Sequence, residues 1–82
     1  MKWAVYIILC SDDSLYTGIT TDVTRRFNQH LNQKGAKYFR IHQPKELVFI
    51  EEGHTRRSAS QKEIAIKNMT RKQKLSLITE KS

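Results

Sequence analysis

The apolar positions fall into short runs separated by polar segments, and each run has the period of a strand or a helix. Residues 3–10 are rich in β-branched and aromatic side chains and predict a first strand. A polar turn signal at 11–14 separates it from a second strand over 15–20, so the two are expected to form a hairpin. A third strand is expected over 46–52, with Pro44 just before it.

The segment after the hairpin has a helical period. Asp22 is a suitable N-cap, because its side chain can accept hydrogen bonds from the first free amides. Val23, Phe27 and Leu31 then recur at i, i+4 and i+8, which predicts one apolar face of a short helix. Residues 32–35 are expected to end this helix.

Two further helices are predicted near the end of the chain. After a turn at 53–57, the pattern of residues 58–61 has the form of a capping box and predicts a helix running to about Asn68; Ser60 with Glu63 offers a second frame. Thr70 with Gln73 forms another box and opens the last helix. The residues expected to face the core are Ala59, Ile64, Ile66, Leu75, Leu77 and Ile78.

The predicted order is therefore β-β-α-β-α-α. A hairpin plus one more antiparallel strand, covered by helices, is an α+β fold: a small three-stranded antiparallel sheet flanked by helices. A length of 82 residues predicts a single domain over 1–82, with residues 79–82 as a frayed tail. At this length, a second domain is not expected.

Charge narrows the choice of partner. A net charge of +7 and a pI of about 9.9 indicate a polyanion, with nucleic acid first and an anionic membrane second. The alternative is a solvated basic surface. A membrane role is least expected, because no helix pairs a large apolar face with a lysine-rich one. The single Cys10 is expected as a buried strand residue, and the absence of a visible signal peptide predicts a cytoplasmic location.

A basic loop over residues 36–45 is the candidate for contact with the DNA backbone. The residues predicted to bind nucleic acid there and just before it are Lys34, Lys37, Tyr38 and Arg40. Tyr38 and Phe39 could stack on unpaired bases, or they could instead pack beneath the loop.

Five side chains could carry chemistry, and each also has a structural interpretation. Tyr6 and Tyr16 lie on paired strands, where two tyrosines commonly just pack together. Arg26 and His30 are one helical turn apart and project toward the same region, or they belong to a solvated face. Glu63 is the only acid between residues 52 and 80, so it could bind a metal ion or simply pair with a lysine four residues later.

Gly18 lies within the second predicted strand. A glycine there often marks close backbone approach or a bulge, which would let a phosphate reach the floor between the strands. The alternative is a simple bend in a twisted hairpin.

Taken together, these spacings resemble a known family. Residues 5–7, followed by Tyr16-Thr17-Gly18, are similar to the two half-motifs that name the GIY-YIG nucleases. Arg26 lies ten residues beyond Tyr16, as does the family's essential arginine, and Glu63 matches its metal-binding glutamate. The likeness covers about residues 3–78 and is strongest to short stand-alone bacterial members, the YhbQ-like proteins. The shared runs are 15–20, 34–38, 63–67 and 70–78.

The resemblance implies a DNA endonuclease that hydrolyses phosphodiester bonds with one divalent ion, Mg²⁺ or Mn²⁺. It implies that Glu63 holds the ion and that Arg26 neutralises charge on the phosphorane. Tyr6, by preference, would orient or deprotonate the attacking water, while Tyr16 and His30 hold that network or share the proton transfer. His30 could be the true proton acceptor, with tyrosine as a relay, because its ordinary pKa lies nearer to neutral pH.

The chain departs from the family pattern at four positions, which are Ala4, Thr17, Ile19 and Leu75. The family spans repair, restriction and mobile-element enzymes, so DNA repair or recombination is an expected setting. The substrate could be branched or single-stranded DNA, with or without a protein targeting partner. Two alternatives stay open: a non-catalytic nucleic-acid binding module that keeps the fold, and a small RNA-binding or ribosome-associated protein.

Overall fold

The computed structural model describes residues 2–32 and 37–81, apart from the side chains of Arg40 and Lys81. Three strands form one antiparallel sheet: β1 (Trp3–Cys10), β2 (Leu15–Thr20) and β3 (Pro44–His54). Three α-helices and one 3₁₀ helix complete the fold, and their bounds are α1 (Val23–Leu31), the 3₁₀ helix (Lys37–Arg40), α2 (Arg56–Lys67) and α3 (Arg71–Lys81). The predicted α+β class and the order β-β-α-β-α-α are confirmed.

Strand β1 lies in the middle of the sheet, and its two faces support two separate apolar clusters. Val5 and Ile7 pack on one face beneath α2 and α3, with Ala59 and Ile66 from α2. The next residues along the strand alternate to the opposite face, where Tyr6, Ile8 and Cys10 pack with Phe39 and partly buried residues of α1. Cys10 is fully buried, as predicted. The period of two along β1 therefore separates the core face from the face that carries Tyr6.

Strand β3 is longer than predicted, because it begins at Pro44 and ends at His54. Residues 44–45 and 53–54 are thus strand rather than loop and turn. Proline is tolerated as the first residue of an edge strand, since the missing N–H leaves no interior ladder bond unmade. Here Pro44 pairs with Cys10, and β1 is the only neighbour of β3 among the described strands.

Helix α2 begins at Arg56, three residues before the start that a cap at Ser58 predicts. Thr55, not Ser58 or Ser60, is the N-cap: its hydroxyl accepts from the Ser58 N–H at 3.1 Å, while the Ser58 hydroxyl accepts from the Thr55 N–H at 3.0 Å. Ser58 thus takes the place that glutamate or glutamine usually fills in a capping box. His54 adds a tie to the strand, with Nδ1 at 2.8 Å from the Ser58 hydroxyl and Nε2 at 2.7 Å from the Glu51 carboxylate.

Three of the residues expected in the core are largely exposed. Leu31, Ile64 and Leu75 expose 48%, 59% and 43% of their surface, respectively. Ile64 and Leu75 each lie two positions before a packed residue of the same helix, Ile66 and Leu77 respectively. Two positions correspond to about 200° around the helix axis, so only one residue of each pair can face the sheet. In α1 the position at i+7 from Val23, His30, points inward instead of Leu31 at i+8.

The remaining caps agree with the sequence. The Asp22 side chain accepts from the Arg25 N–H at 3.0 Å, and Thr70 and Gln73 form the predicted box at 2.9 and 3.2 Å. Helix α3 continues to Lys81, into the segment expected as a tail. Within residues 2–32 and 37–81, every helix is too short or too polar to cross a membrane.

Candidate active site

Tyr6 projects from the middle of β1 and is almost completely buried, with 2% of its surface exposed. Its hydroxyl lies 3.0 Å from Nε2 of His30, which α1 places over the same face of the sheet. His30 is fully buried. Two residues 24 positions apart therefore form one polar pair inside an aromatic cluster, and sequence spacing alone could not place them in contact.

Gly18 makes this pair possible. It lies directly opposite Tyr6 on β2, and a Cβ atom at Gly18 would come within 2.5 Å of the Tyr6 hydroxyl oxygen and 2.7 Å of Cζ. Any side chain at this position would therefore displace the ring. The close approach expected at this glycine exists, but the group that approaches is the Tyr6 side chain.

Tyr16 belongs to the same cluster from the neighbouring strand. It pairs across the ladder with Ile8, so it lies diagonal to Tyr6 rather than directly opposite. The centroid of the Tyr16 ring lies 6.3 Å from that of Tyr6, 5.5 Å from that of His30 and 4.6 Å from that of Phe39. Such tilted and edge-on contacts fix the ring orientation. The predicted neighbourhood of the two tyrosines is present, with an offset of one diagonal step.

Arg26 lies one turn before His30 on α1, and its guanidinium lies close enough to the Tyr6 hydroxyl to lower that group's pKa. Its Nη1 atom donates to Oε1 of Gln29 at 3.1 Å. The sequence analysis missed Gln29, although its i+3 spacing from Arg26 is the spacing at which helical side chains meet. The bond restricts the guanidinium to the side of α1 that faces the tyrosines.

Glu63 approaches the cluster from α2, on the other side of the sheet. Because β2 is an edge strand and α2 packs against it, the carboxylate can reach around this edge. Its charge raises the pKa of both Tyr6 and Tyr16, so the carboxylate lies within electrostatic range of the two phenols. Glu63 also pairs with Lys67, with Oε2 at 3.4 Å from Nζ. Both interpretations from the sequence, an ion pair and a place in the site, are compatible with this position.

Burial dominates the electrostatics of the central pair. It raises the pKa of Tyr6 to about 12, with Tyr16 adding to the rise and Arg26 opposing it. Burial, followed by the Arg26 charge, lowers the pKa of His30 to about 4. At neutral pH the tyrosine is therefore protonated and the imidazole is neutral. A neutral Nε2 can accept the Tyr6 O–H, which leaves the phenolic lone pairs available to a water molecule.

Comparison with known proteins agrees with the family resemblance seen in the sequence. The family model described as the GIY-YIG catalytic domain matches residues 2–76. The chain belongs to the GIY-YIG family. This is a nuclease family, so the matched region is a nuclease-type catalytic domain.

Several relatives of this GIY-YIG protein are UPF0213 proteins of similar length. One from Staphylococcus epidermidis is 49% identical over 79 residues, which cover 96% of each chain. One from Clostridium perfringens is 47% identical over 95% of this chain and 84% of its own. The solution structure of a UPF0213 protein from Bacillus halodurans has a TM-score of 0.64 at 41% identity, covering 99% of this chain and 86% of that one. The resemblance to short bacterial members is thus confirmed.

The basic loop has a different character from the one expected. Phe39 is buried, and its ring centroid lies 4.2 Å from that of His30 and 4.6 Å from that of Tyr16. It therefore packs beneath the loop, and its ring is not exposed for stacking on a nucleic-acid base. Tyr38 is half-buried and stacks on His42 at 4.2 Å. Lys37 is exposed. The other two positions predicted to bind nucleic acid cannot be compared with the structure: Lys34 lies outside the described residues, and so does the side chain of Arg40.

Asp12, which the sequence analysis treated only as a turn residue, anchors this loop. Its carboxylate pairs with Nδ1 of His42 and accepts from the Ser14 hydroxyl at 2.6 Å. These contacts lower the pKa of Asp12 to about 2, with Ser14 as the largest cause. Two contacts therefore hold the 3₁₀ helix in place. His42, just after the helix, pairs with Asp12 of the β1–β2 turn, and Phe39 within the helix packs against Tyr16 and His30.

The donor set favours a hard cation held by few protein atoms. Among residues 2–32 and 37–81 there is no group of three histidine, cysteine, aspartate or glutamate side chains that could enclose an ion. One carboxylate, Glu63, faces the cluster. Mg²⁺ commonly binds through one or two carboxylates and keeps several waters, whereas structural zinc requires four protein ligands. The residues present fit Mg²⁺ or Mn²⁺ at Glu63.

Burial of a neutral His30 predicts that the fold loses stability in mild acid. Below about pH 6.5 the unfolded chain binds a proton at this histidine, while the folded chain does not until the pH approaches its pKa of about 4. Stability should therefore fall as the pH drops through this window, by about 2 kcal/mol between pH 7 and pH 5.

Denaturant unfolding followed through the fluorescence of Trp3, the single tryptophan, measures this loss. The variant His30→Phe keeps an aromatic ring but cannot titrate, so its stability should change much less between pH 7 and pH 5. An equal loss in both proteins would show that His30 is not the responsible group.

Proposed function

We propose that this protein is a divalent-metal-dependent DNA endonuclease that hydrolyses phosphodiester bonds. The observation that carries the proposal is the convergence of five side chains at the β2 edge of the sheet: Tyr6, Tyr16, Arg26, His30 and Glu63. They come from four elements and combine a cation, a carboxylate and a proton-transfer pair. Hydrolysis of a phosphodiester needs these three functions together.

Arg26 is assigned to the phosphate. Its guanidinium is permanently charged and presents a planar fork of donors that matches two phosphate oxygens. Gln29 accepts from Nη1, and the guanidinium also interacts with the Tyr6 hydroxyl, so its other donors lie where a phosphate beside that hydroxyl could accept from them. In the transition state, negative charge accumulates on the non-bridging oxygens, and a donor already in place stabilises it without reorganisation.

Tyr6 and His30 are assigned to the attacking water, acting as a relay. Nε2 of the buried His30 faces the Tyr6 hydroxyl, so we assign the contact with the water to the phenol and the final acceptance of the proton to the imidazole. As the water oxygen forms its bond to phosphorus, the water proton passes to the Tyr6 oxygen. The Tyr6 proton passes to Nε2 of His30, and the P–O bond to the leaving group breaks.

The low pKa of His30 fits a transient acceptor. An imidazolium in this environment is unfavourable, because burial and the Arg26 charge both oppose it. The proton therefore leaves His30 through Tyr6 to solvent once the phosphate has been cut, and the departing alkoxide oxygen takes a proton from solvent water. Tyr16, in edge contact with the His30 ring, holds the imidazole in this orientation.

Glu63 is the residue assigned to hold the divalent ion. When bound, Mg²⁺ or Mn²⁺ supplies Lewis-acid polarisation of a phosphate oxygen and stabilises the leaving oxygen. Glu63 is three-quarters covered, with 23% of its side chain exposed, and its charge acts on both Tyr6 and Tyr16. An ion held there would act on the same phosphate as the proposed relay.

The DNA itself is assigned to the positive surface around this edge. The net charge of +7 and the exposed Lys37 support phosphate contact, and Lys34, Tyr38 and Arg40 remain predicted contacts. We propose branched or single-stranded DNA as substrate, a cytoplasmic location, and a role in repair or recombination with or without a targeting partner. Because each phosphate contact releases counterions, affinity should fall steeply as salt rises.

The proposal is tested by incubating pure protein with supercoiled plasmid and with a synthetic four-way junction in Mg²⁺ or Mn²⁺. We expect nicking or cutting that stops when EDTA removes the ion and resumes when the ion is restored. Binding of both DNAs with a steep salt dependence but no cutting under any ion would favour the non-catalytic binding module instead. Preference for RNA over DNA in the same assay would favour the RNA-binding alternative.

A further inference from the structure

The ion pair between Glu63 and Lys67 differs from an ordinary surface pair. Nζ of Lys67 lies 3.4 Å from Oε2 of Glu63, one helical turn along α2. Pairs at this spacing between solvated side chains contribute little. Here the two partners are solvated unequally: the side chain of Lys67 is 54% exposed, whereas that of Glu63 is 23% exposed.

The partner of Glu63 is determined by the surroundings of the carboxylate. The carboxylate charge raises the pKa of Tyr6 and Tyr16, and both phenols are protonated and uncharged at neutral pH. A partly covered carboxylate requires a counter-charge or a metal ion to compensate for lost hydration. Without an ion, the Lys67 ammonium supplies this charge at the oxygen that an ion would use.

We propose that Lys67 has two positions: it is the counter-ion of Glu63 at rest, and it binds the substrate phosphate once a divalent ion takes the carboxylate. The inference rests on the proposed function. The ammonium and the ion compete for one carboxylate, and two cations held against it repel each other. The four-carbon stem of lysine lets the ammonium move to a neighbouring anion, and in the complex that anion is the phosphate.

This arrangement makes two predictions of opposite sign. Removing the ammonium relieves competition, so a variant without it should bind the divalent ion more tightly. Removing it also deletes one phosphate contact, so the same variant should cleave more slowly when the ion is saturating. A lysine that only stabilises the helix would produce neither effect, and one that orients Glu63 for the ion would weaken ion binding.

The test uses Lys67→Met, which keeps the apolar stem, and compares it with Lys62→Met. Lys62 lies on the same helix and pairs with Glu51 at 4.0 Å, so the control has the same charge change outside the site. Mn²⁺ affinity is measured without DNA by titration calorimetry or by the electron paramagnetic resonance signal of free Mn²⁺. Cleavage is then measured under single-turnover conditions at saturating Mn²⁺, and Lys67→Arg tests rescue by a retained charge.

We expect Lys67→Met to bind Mn²⁺ about three- to tenfold more tightly, the size of the repulsion between a divalent and a monovalent cation about 5 Å apart in water. Its cleavage should fall about tenfold, the effect of one charged hydrogen bond. Lys62→Met should match wild type in both measurements, and Lys67→Arg should lie near it.

Unchanged or weaker Mn²⁺ binding in Lys67→Met would overturn the proposal, and so would tighter binding with unchanged cleavage. Failure of the proposed function has a different signature, because wild type would then show no Mn²⁺ binding that depends on Glu63 and no cleavage. Circular dichroism of each variant confirms that the helix is retained.

Discussion

Replacing Arg26 by alanine is expected to lower the rate of DNA cleavage by about 10²–10³-fold, the usual effect of losing a preorganised donor at a developing oxyanion. The side chain is half-buried beside the Tyr6 hydroxyl, and Gln29 holds one end of its fork. Arg26→Lys should recover only a small part of the rate, because an ammonium cannot present two parallel donors.

Arg25→Ala is the matched control for this experiment. Arg25 is adjacent in sequence, lies on the same helix and is exposed, so the variant has the same change in net charge without altering the cluster. Single-turnover cleavage at saturating protein separates the chemical step from DNA binding. A rate for Arg26→Ala within threefold of that for Arg25→Ala would remove Arg26 from the mechanism.

Replacing Gly18 by alanine is expected to lower the cleavage rate by displacing the Tyr6 ring. The new Cβ would lie 2.5 Å from the Tyr6 hydroxyl oxygen and 3.0 Å from Cε2, so the ring must shift, which disturbs its 3.0 Å contact with Nε2 of His30. Overpacking of this kind typically costs about 1–3 kcal/mol of stability. Cleavage should fall by about 10²-fold or more, the contribution of a positioned proton-transfer group.

Gly53→Ala separates the two effects of the Gly18 substitution. Gly53 has φ of +82° and open space around its missing Cβ, so alanine there strains the backbone and costs about 1 kcal/mol without touching the cluster. This variant should lose stability and keep activity. In Gly18→Ala, a ¹³C-labelled Tyr6 ring should show changed chemical shifts in NMR spectra. An unshifted ring with full activity would contradict the role assigned to Gly18.

Local chemistry explains why much of the fold could be predicted. The β-branched and aromatic run of β1, the Asp22 cap and the Thr70–Gln73 box depend on residues within a few positions of each other, and all three predicted features are present. The predicted start of α2 was wrong, because serine replaces the usual glutamate or glutamine in the capping box at Thr55. In α1, the sequence pattern favoured an apolar leucine over His30, although His30 occupies the buried position.

The site was less predictable, because its geometry depends on contacts between distant elements. Spacing suggested that Tyr6, Arg26 and Glu63 belong together, but only the packed sheet brings α2 around the β2 edge to the tyrosines. The Tyr6–His30 bond and the space that Gly18 leaves for the Tyr6 ring could not be read from local pattern. The burial of Phe39 likewise required knowing that the 3₁₀ helix lies over His30.

The central claim is that the cluster at the β2 edge cuts DNA with a divalent ion held by Glu63. Its most direct test measures cleavage of plasmid and branched DNA in Mg²⁺ and Mn²⁺ by wild type, Glu63→Gln and the exposed control Glu52→Gln at matched purity. The account predicts that wild type and Glu52→Gln cut equally and that Glu63→Gln, nearly the same in shape but unable to supply a carboxylate, does not. Equal cutting by all three proteins would place the activity elsewhere and contradict the account.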